Sequence, residues 1–161
     1  RDGWYLTLRL KSTMYHRFHA PTGCRVHGVN YVAGDVWNVN PPTVRRLPGL
    51  YCRNERAVID LDTGRFGPAI TLVPVAAILV ASIRLHFLDV LLHLRYSGPN
   101  RLACEASLEK GEEMGYFQHG STVIVLATHR FRLAGGLAPG SLVKVGEPLL
   151  WAGDPGVPVA P

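Results

Sequence analysis

Tyr15-His16-Arg17-Phe18-His19-Ala20-Pro21 places two imidazoles three positions apart on a stretch broken by turn formers. Imidazole changes charge near neutral pH, so either side chain could move a proton or ligate a metal. A zinc site needs three or four ligands, and no Cys, His or Glu stands at motif spacing around this pair, so no metal is expected. A hydrogen-bonded structural histidine is the plainer reading of either residue taken alone. A second segment, Lys110 to Ile124, carries two loop glycines and brings Ser121 to the start of a β-branched run. A serine hydroxyl is a poor nucleophile until a base takes its proton. Gly120-Ser121-Thr122-Val123 lacks the second glycine of a Gly-x-Ser-x-Gly elbow, which disfavours a conventional serine hydrolase. Gly and Ser are also ordinary turn residues, so Gly-Ser-Thr alone identifies nothing.

The elements that must position these residues read as short strands. Residues 4 to 10 (WYLTLRL) alternate apolar and polar, the period of a half-buried strand. Between 12 and 42, Pro21, Gly23, Gly28, Gly34 and Pro41 punctuate several brief strands. Pro42 to Leu50 has room for one helical turn or more, and RAVIDLDTG (56 to 64) reads as a strand ending in a turn. Residues 69 to 83 are almost wholly apolar, but Pro74 interrupts them and they fall short of a bilayer span, so a buried strand pair is expected. Residues 85 to 96 mix helical and strand spacing and stay ambiguous. Gly111 and Gly115 bracket a polar loop, STVIVLAT (121 to 128) is a strand, and 129 to 153 give two more. The Pro-rich DPGVPVAP reads as a frayed tail. The expected fold is mainly β (α+β), a compact sandwich or barrel-like domain with few helices, and 161 residues fit one domain, 1–161.

The chain is 47% hydrophobic and 18% charged, with a net charge of +5 and a pI near 9.4. That balance favours an anionic partner. The basic residues are scattered without a run or a nucleic-acid motif, so no nucleic acid is expected. Cys24, Cys52 and Cys104 are odd in number and widely spaced, which argues against disulfides and metal clusters. Each reads as a small buried hydrophobe. Arg17, Arg53 and Arg56 are candidates for a phosphate or carboxylate, with solvated surface or a structural ion pair to Glu55 as the alternative.

Five ordered blocks carry a family resemblance: YHRFHAP (15 to 21), GDVWNVNP (34 to 41), YCRNERAV (51 to 58), PVAAILVASI (74 to 83) and KGEEMGYFQHGSTVIVL (110 to 126). Together, in order and spacing, they resemble the phosphatidylserine decarboxylases over about residues 5 to 150. The resemblance implies self-cleavage between Gly120 and Ser121. In that chemistry an N-to-O acyl shift turns the amide into an ester, and elimination leaves dehydroalanine. Its imine tautomer then loses ammonia in water to give an N-terminal pyruvoyl group. Glycine leaves its carbonyl open to attack and tolerates a strained backbone. Residues 1–120 become the β chain and 121–161 the α chain.

The same resemblance makes His19 the base acting on Ser121. The pyruvoyl group, a covalent cofactor derived from Ser121, forms a Schiff base with the serine headgroup and drains electrons from the breaking bond. His16 is the candidate to protonate Cα, and phosphatidylethanolamine is the product. The implied partners are phosphatidylserine, a membrane surface touched peripherally, the α and β chains of one precursor, and, as an option left open, a second copy in a homodimer. The implied location is the cytoplasmic side of a bacterial cell membrane, or an organelle inner membrane in a eukaryote. Ser12-Thr13-Met14 stands where family members have Pro-x-Asp, which is expected to be a subgroup difference. The family's orienting Asp and its amphipathic helices lie ahead of the Tyr-His-Arg block, so an N-terminally truncated core lacking both is expected. Two rival readings remain: a non-catalytic lipoyl-like β-domain, and a serine hydrolase using Ser121 and His19.

Overall fold

In a computed structural model, which describes residues 3–64, 67–78, 82–118 and 121–153, strands dominate and helices are few. A six-stranded antiparallel sheet is built in the order β1-β10-β5-β4-β3-β8. Its members are β1 (Gly3–Leu10), β3 (Cys24–Val32), β4 (Arg56–Asp62), β5 (Pro68–Val75), β8 (Arg101–Leu108) and β10 (Ser121–Thr128). A four-stranded antiparallel sheet runs β2-β9-β6-β7, from β2 (Arg17–His19), β6 (Ser82–Leu85), β7 (Val90–His93) and β9 (Glu113–Phe117). β11 (Phe131–Leu133) and β12 (Leu150–Ala152) pair as a hairpin. The mainly β expectation holds.

Period-2 patterning explains how the two sheets share a core. On β4, Ala57, Ile59 and Leu61 are buried while the alternate Asp60 is exposed. Leu6, Leu8 and Leu10 of β1 pack on the same cluster, which also takes Phe18, Ile83, Leu85, Leu92, Met114 and Phe117 from the four-stranded sheet. β10 is buried at six of its eight residues, all but the exposed Leu126 and the half-buried Thr128, as its β-branched run requires of a strand covered on both faces.

Several expectations need correction. The region after Pro21 does not break into brief strands: β3 is nine residues long and continues through a register shift between Val26 and Gly28. A bulge absorbs the extra residue that the sequence punctuation suggested was a turn. The apolar run gives β5 and β6, but these lie in different sheets and do not pair with each other. The ambiguous 85 to 96 segment is a tight turn at 86–89 followed by β7. Gly115 lies inside β9, not at a loop end. Of the cysteines, Cys24 is buried and Cys104 half-buried, but Cys52 is exposed on the second of two short helices. Those helices are α1 (Pro41–Arg46), whose Asn40 side chain caps the Thr43 N–H, and α2 (Leu50–Arg53). The 154–161 tail lies outside the described residues.

Candidate active site

Ser121 is the first residue of β10 and is fully buried. It pairs with Leu10 at the end of β1, and its neighbour Thr122 pairs with Val75 at the end of β5. The backbone at the start of β10 is thus held by β1 on one side and, from Thr122, by β5 on the other. Its Oγ has no hydrogen-bond partner, an arrangement that costs about 1–3 kcal/mol and that folded proteins rarely keep without a use. Gly120 lies outside the described residues.

In the other sheet His16 immediately precedes β2 and His19 is its last residue. β2 pairs with β9 through Arg17–Tyr116, Phe18–Gly115 and His19–Glu113. The Phe117 N–H also donates to the His16 carbonyl at 2.8 Å. The histidine block is therefore stitched to the strand whose chain continues, four residues on, into Ser121. Ser82 Oγ donates to Gln118 Oε1 at 3.0 Å, so the start of β6 steadies the same exit. At Gly115 a Cβ would sit 1.9 Å from the Arg84 carbonyl oxygen and 2.9 Å from the Phe18 ring, so only glycine lets β9 approach β6 this closely.

His16 is half-buried, and its Nε2 is buried with no partner. His19 stacks on Tyr15 at 5.7 Å and 11°, with Tyr15 Oη 3.1 Å from His19 Nε2. With the phenol donating, Nε2 is the acceptor and the ring proton sits on Nδ1. The structure brings both histidines to the strand leading into Ser121, yet hydrogen-bonds neither of them to its hydroxyl.

Charge holds the outer side of this block. Glu113 Oε1 accepts from Arg17 at 2.5 Å and lies 2.7 Å from His86 Nε2. Partial burial acts to raise the Glu113 carboxyl, but hydrogen bonds from His86 and Arg17 outweigh it and hold the group below its ordinary range. The Arg17 guanidinium lies 5.6 Å from the centre of the Tyr116 ring. Arg17 is thus already ion-paired, and Arg56 donates to the Cys52 and Asn54 carbonyls. The expected ion pair to Glu55 is not what forms: Glu55 is fully buried, accepts the Tyr31 hydroxyl at 2.9 Å, and burial pushes its carboxyl up.

Sequence reasoning missed two supporting residues. Asn54, fully buried, accepts the Trp37 N–H and donates to the Trp37 and Ala76 carbonyls, tying the 34–38 loop to the end of β5. Ser82 fixes Gln118. An amide beside a carboxylate just ahead of an alternating apolar strand was the available signal for Asn54; nothing local marks Ser82. Among the described residues no group of three or more His, Cys, Asp or Glu could hold a metal. No helix there is long and apolar enough to cross a membrane.

Comparison with known proteins agrees with the five blocks. A model of the phosphatidylserine decarboxylase family matches residues 1–150. The phosphatidylserine decarboxylase proenzyme of Anaeromyxobacter sp. (strain K) is 41% identical over 152 residues, 91% of this chain and 53% of that protein. The Dickeya dadantii proenzyme is 38% identical over 161 residues, covering 96% of this chain and 52% of its own length. The Vibrio cholerae proenzyme is 40% identical over 155 residues, 92% and 54% respectively. The chain spans about half the length of these curated relatives. With a match over nearly all of its residues, the chain belongs to the phosphatidylserine decarboxylase family.

Proposed function

We propose that this chain is the core of a self-cleaving phosphatidylserine decarboxylase proenzyme, cut between Gly120 and Ser121. The observation that carries the reading is the Ser121 hydroxyl, buried and without a partner at the first position of a strand held on both sides. The Ser121 hydroxyl has its own preceding carbonyl within covalent reach, which supports an intramolecular first step. The relatives' name, proenzyme, supports processing.

Attack of Ser121 Oγ on the Gly120 carbonyl needs the hydroxyl proton removed, and His19 is the base assigned to it. Tyr15 bears on that role. While its phenol donates to His19 Nε2, that nitrogen is occupied, so the Tyr15 contact must open or the ring must turn before His19 serves Ser121. The orphaned Ser121 atom fits a residue that is consumed to make the prosthetic group. A pyruvoyl group at this position supplies an electron sink for breaking the bond between Cα and a carboxylate. His16 is the residue assigned to hold the proton delivered to the substrate's Cα, a reading supported by its buried Nε2 with no hydrogen-bond partner.

Residues 1–120 and 121–161 stay together on this account. β10 lies between β1 and β5, so a single cut at its start leaves its ladders intact. The substrate is phosphatidylserine, met at a membrane surface, peripherally and on the cytoplasmic side in a bacterium; a homodimer is compatible with this. Denaturing electrophoresis of purified protein tests the reading: two chains that co-purify under native conditions support it, and a single uncut band sinks it.

A further inference from the structure

An open cleft of about 410 Å3 is lined by Asp35, Val36, Trp37, Asn38, Thr43 and Ile78. Two large apolar side chains stand there in water, Trp37 at 46% and Ile78 at 47% exposure. Scattered exposed hydrophobes need no explanation, but these two share one cleft. Their exposure is also built in. The Trp37 main chain is clamped by buried Asn54 at 3.0 and 2.8 Å, and its indole N–H donates to Asp35 Oδ2 at 3.0 Å. At Gly34 a Cβ would meet the Arg53 carbonyl oxygen at 2.2 Å, so glycine lets the loop press against α2.

The surroundings are cationic. Arg45 and Arg46 are exposed in the last turn of α1, the helix that contributes Thr43. Arg53 is exposed on α2, and its carbonyl accepts the Asp35 N–H at 2.9 Å. None of the ion pairs among the described residues uses these three arginines. The Asp35 carboxylate is engaged by the Trp37 indole, and Glu55 is buried. The cleft also lies toward the end of β5 that pairs with the start of β10. Ile78 is three residues beyond Val75, the cross-strand partner of Thr122, so it leaves β5 at the end beside Ser121.

We propose that the Trp37–Ile78 face seats in the interfacial layer of an anionic bilayer, with Arg45, Arg46 and Arg53 among the lipid phosphates. Indole rings favour that layer, and each nearby Arg adds attraction to anionic headgroups. Seated this way, the protein meets a headgroup beside Ser121 while the acyl chains remain in the bilayer. The inference rests on the phospholipid-substrate reading and adds the surface that delivers the substrate.

The test uses the full chain with Trp4→Phe and Trp151→Phe, leaving Trp37 as the one indole. On phosphatidylglycerol vesicles carrying brominated acyl chains, Trp37 emission is expected to shift to the blue and be quenched. Vesicle co-sedimentation in the otherwise unaltered chain provides a second readout. Trp37→Ser with Ile78→Ser is expected to weaken binding about ten-fold or more. Arg45→Gln with Arg46→Gln is expected to weaken it about ten-fold on phosphatidylglycerol at low salt and leave binding to phosphatidylcholine unchanged. Leu142→Ser, at another exposed apolar site, is expected to change nothing. Protein that binds vesicles with Trp37 unquenched overturns the proposal, as does protein that binds none, or a Leu142 effect equal to that of Trp37. Electrophoresis of the same samples reports cleavage separately, so a cut enzyme with Trp37 in water sinks this surface and leaves the Ser121 reading standing.

Discussion

Ser121 opens a strand held on both sides inside a six-stranded sheet, whereas His16 precedes and His19 ends a three-residue strand at the edge of a four-stranded one. The serine is fully buried, and its hydroxyl has no partner. The histidine strand is fixed from outside by ionic and aromatic contacts, Arg17–Glu113–His86 and Tyr15 on His19. Packing of this kind resists displacement, while solvent-facing charge contacts are individually weak and adjust at little cost. On the proposed chemistry the group that is consumed sits in the rigid sheet, and the groups that move protons sit where a ring can turn.

The largest expected break in that contrast is Ser121→Ala. It removes a buried hydroxyl with no partner, so the fold should survive with unchanged or slightly raised thermal stability while cleavage is abolished. Electrophoresis and a melting curve on one sample read both. Next, His19→Ala should slow cleavage on the order of 10²- to 10⁴-fold, whereas His16→Ala should leave cleavage near normal and lower decarboxylation by a similar factor. A time course of cleavage beside a carbon dioxide assay separates them, and equal damage to both steps by either variant would remove the division of labour.

Gly115→Ala acts on the joint between the two sheets. A Cβ 1.9 Å from the Arg84 carbonyl oxygen must push β9 from β6, at a cost of about 1–3 kcal/mol. Denaturant unfolding should show that loss, together with slower cleavage, since β9 leads to Ser121.

The smallest effect is electrostatic. Glu113 is held below its ordinary value in the folded state, so its contribution is present above the unfolded value of 4.5 and is lost as pH falls through the folded one. Melting temperature should therefore drop more steeply below about pH 4.5 in the native chain than in Glu113→Gln, and parallel acid limbs would remove the clamp.

How much of this was legible in sequence depended on whether the signal was local. STVIVLAT announced β10 because a β-branched run has one good use, a strand covered on both faces. RLACEASL, which forms β8, was overlooked because Ala, Glu and Ser blunt its alternation, although its burial follows period 2. Gly115 looked like a loop glycine because the need for it, the Arg84 carbonyl thirty-one residues earlier, is not local. Ser121 and His19 were named from the family resemblance, but their placement in separate sheets and the Tyr15 contact on His19 arise from strand pairing that no spacing encodes.

Intact mass of the purified protein under denaturing conditions bears most directly on the central claim. Two species are expected, residues 1–120 and residues 121–161, the second lighter by one ammonia than simple hydrolysis would leave it. A single species at the mass of the uncut chain, or a second chain that still begins with an ordinary serine, would contradict it.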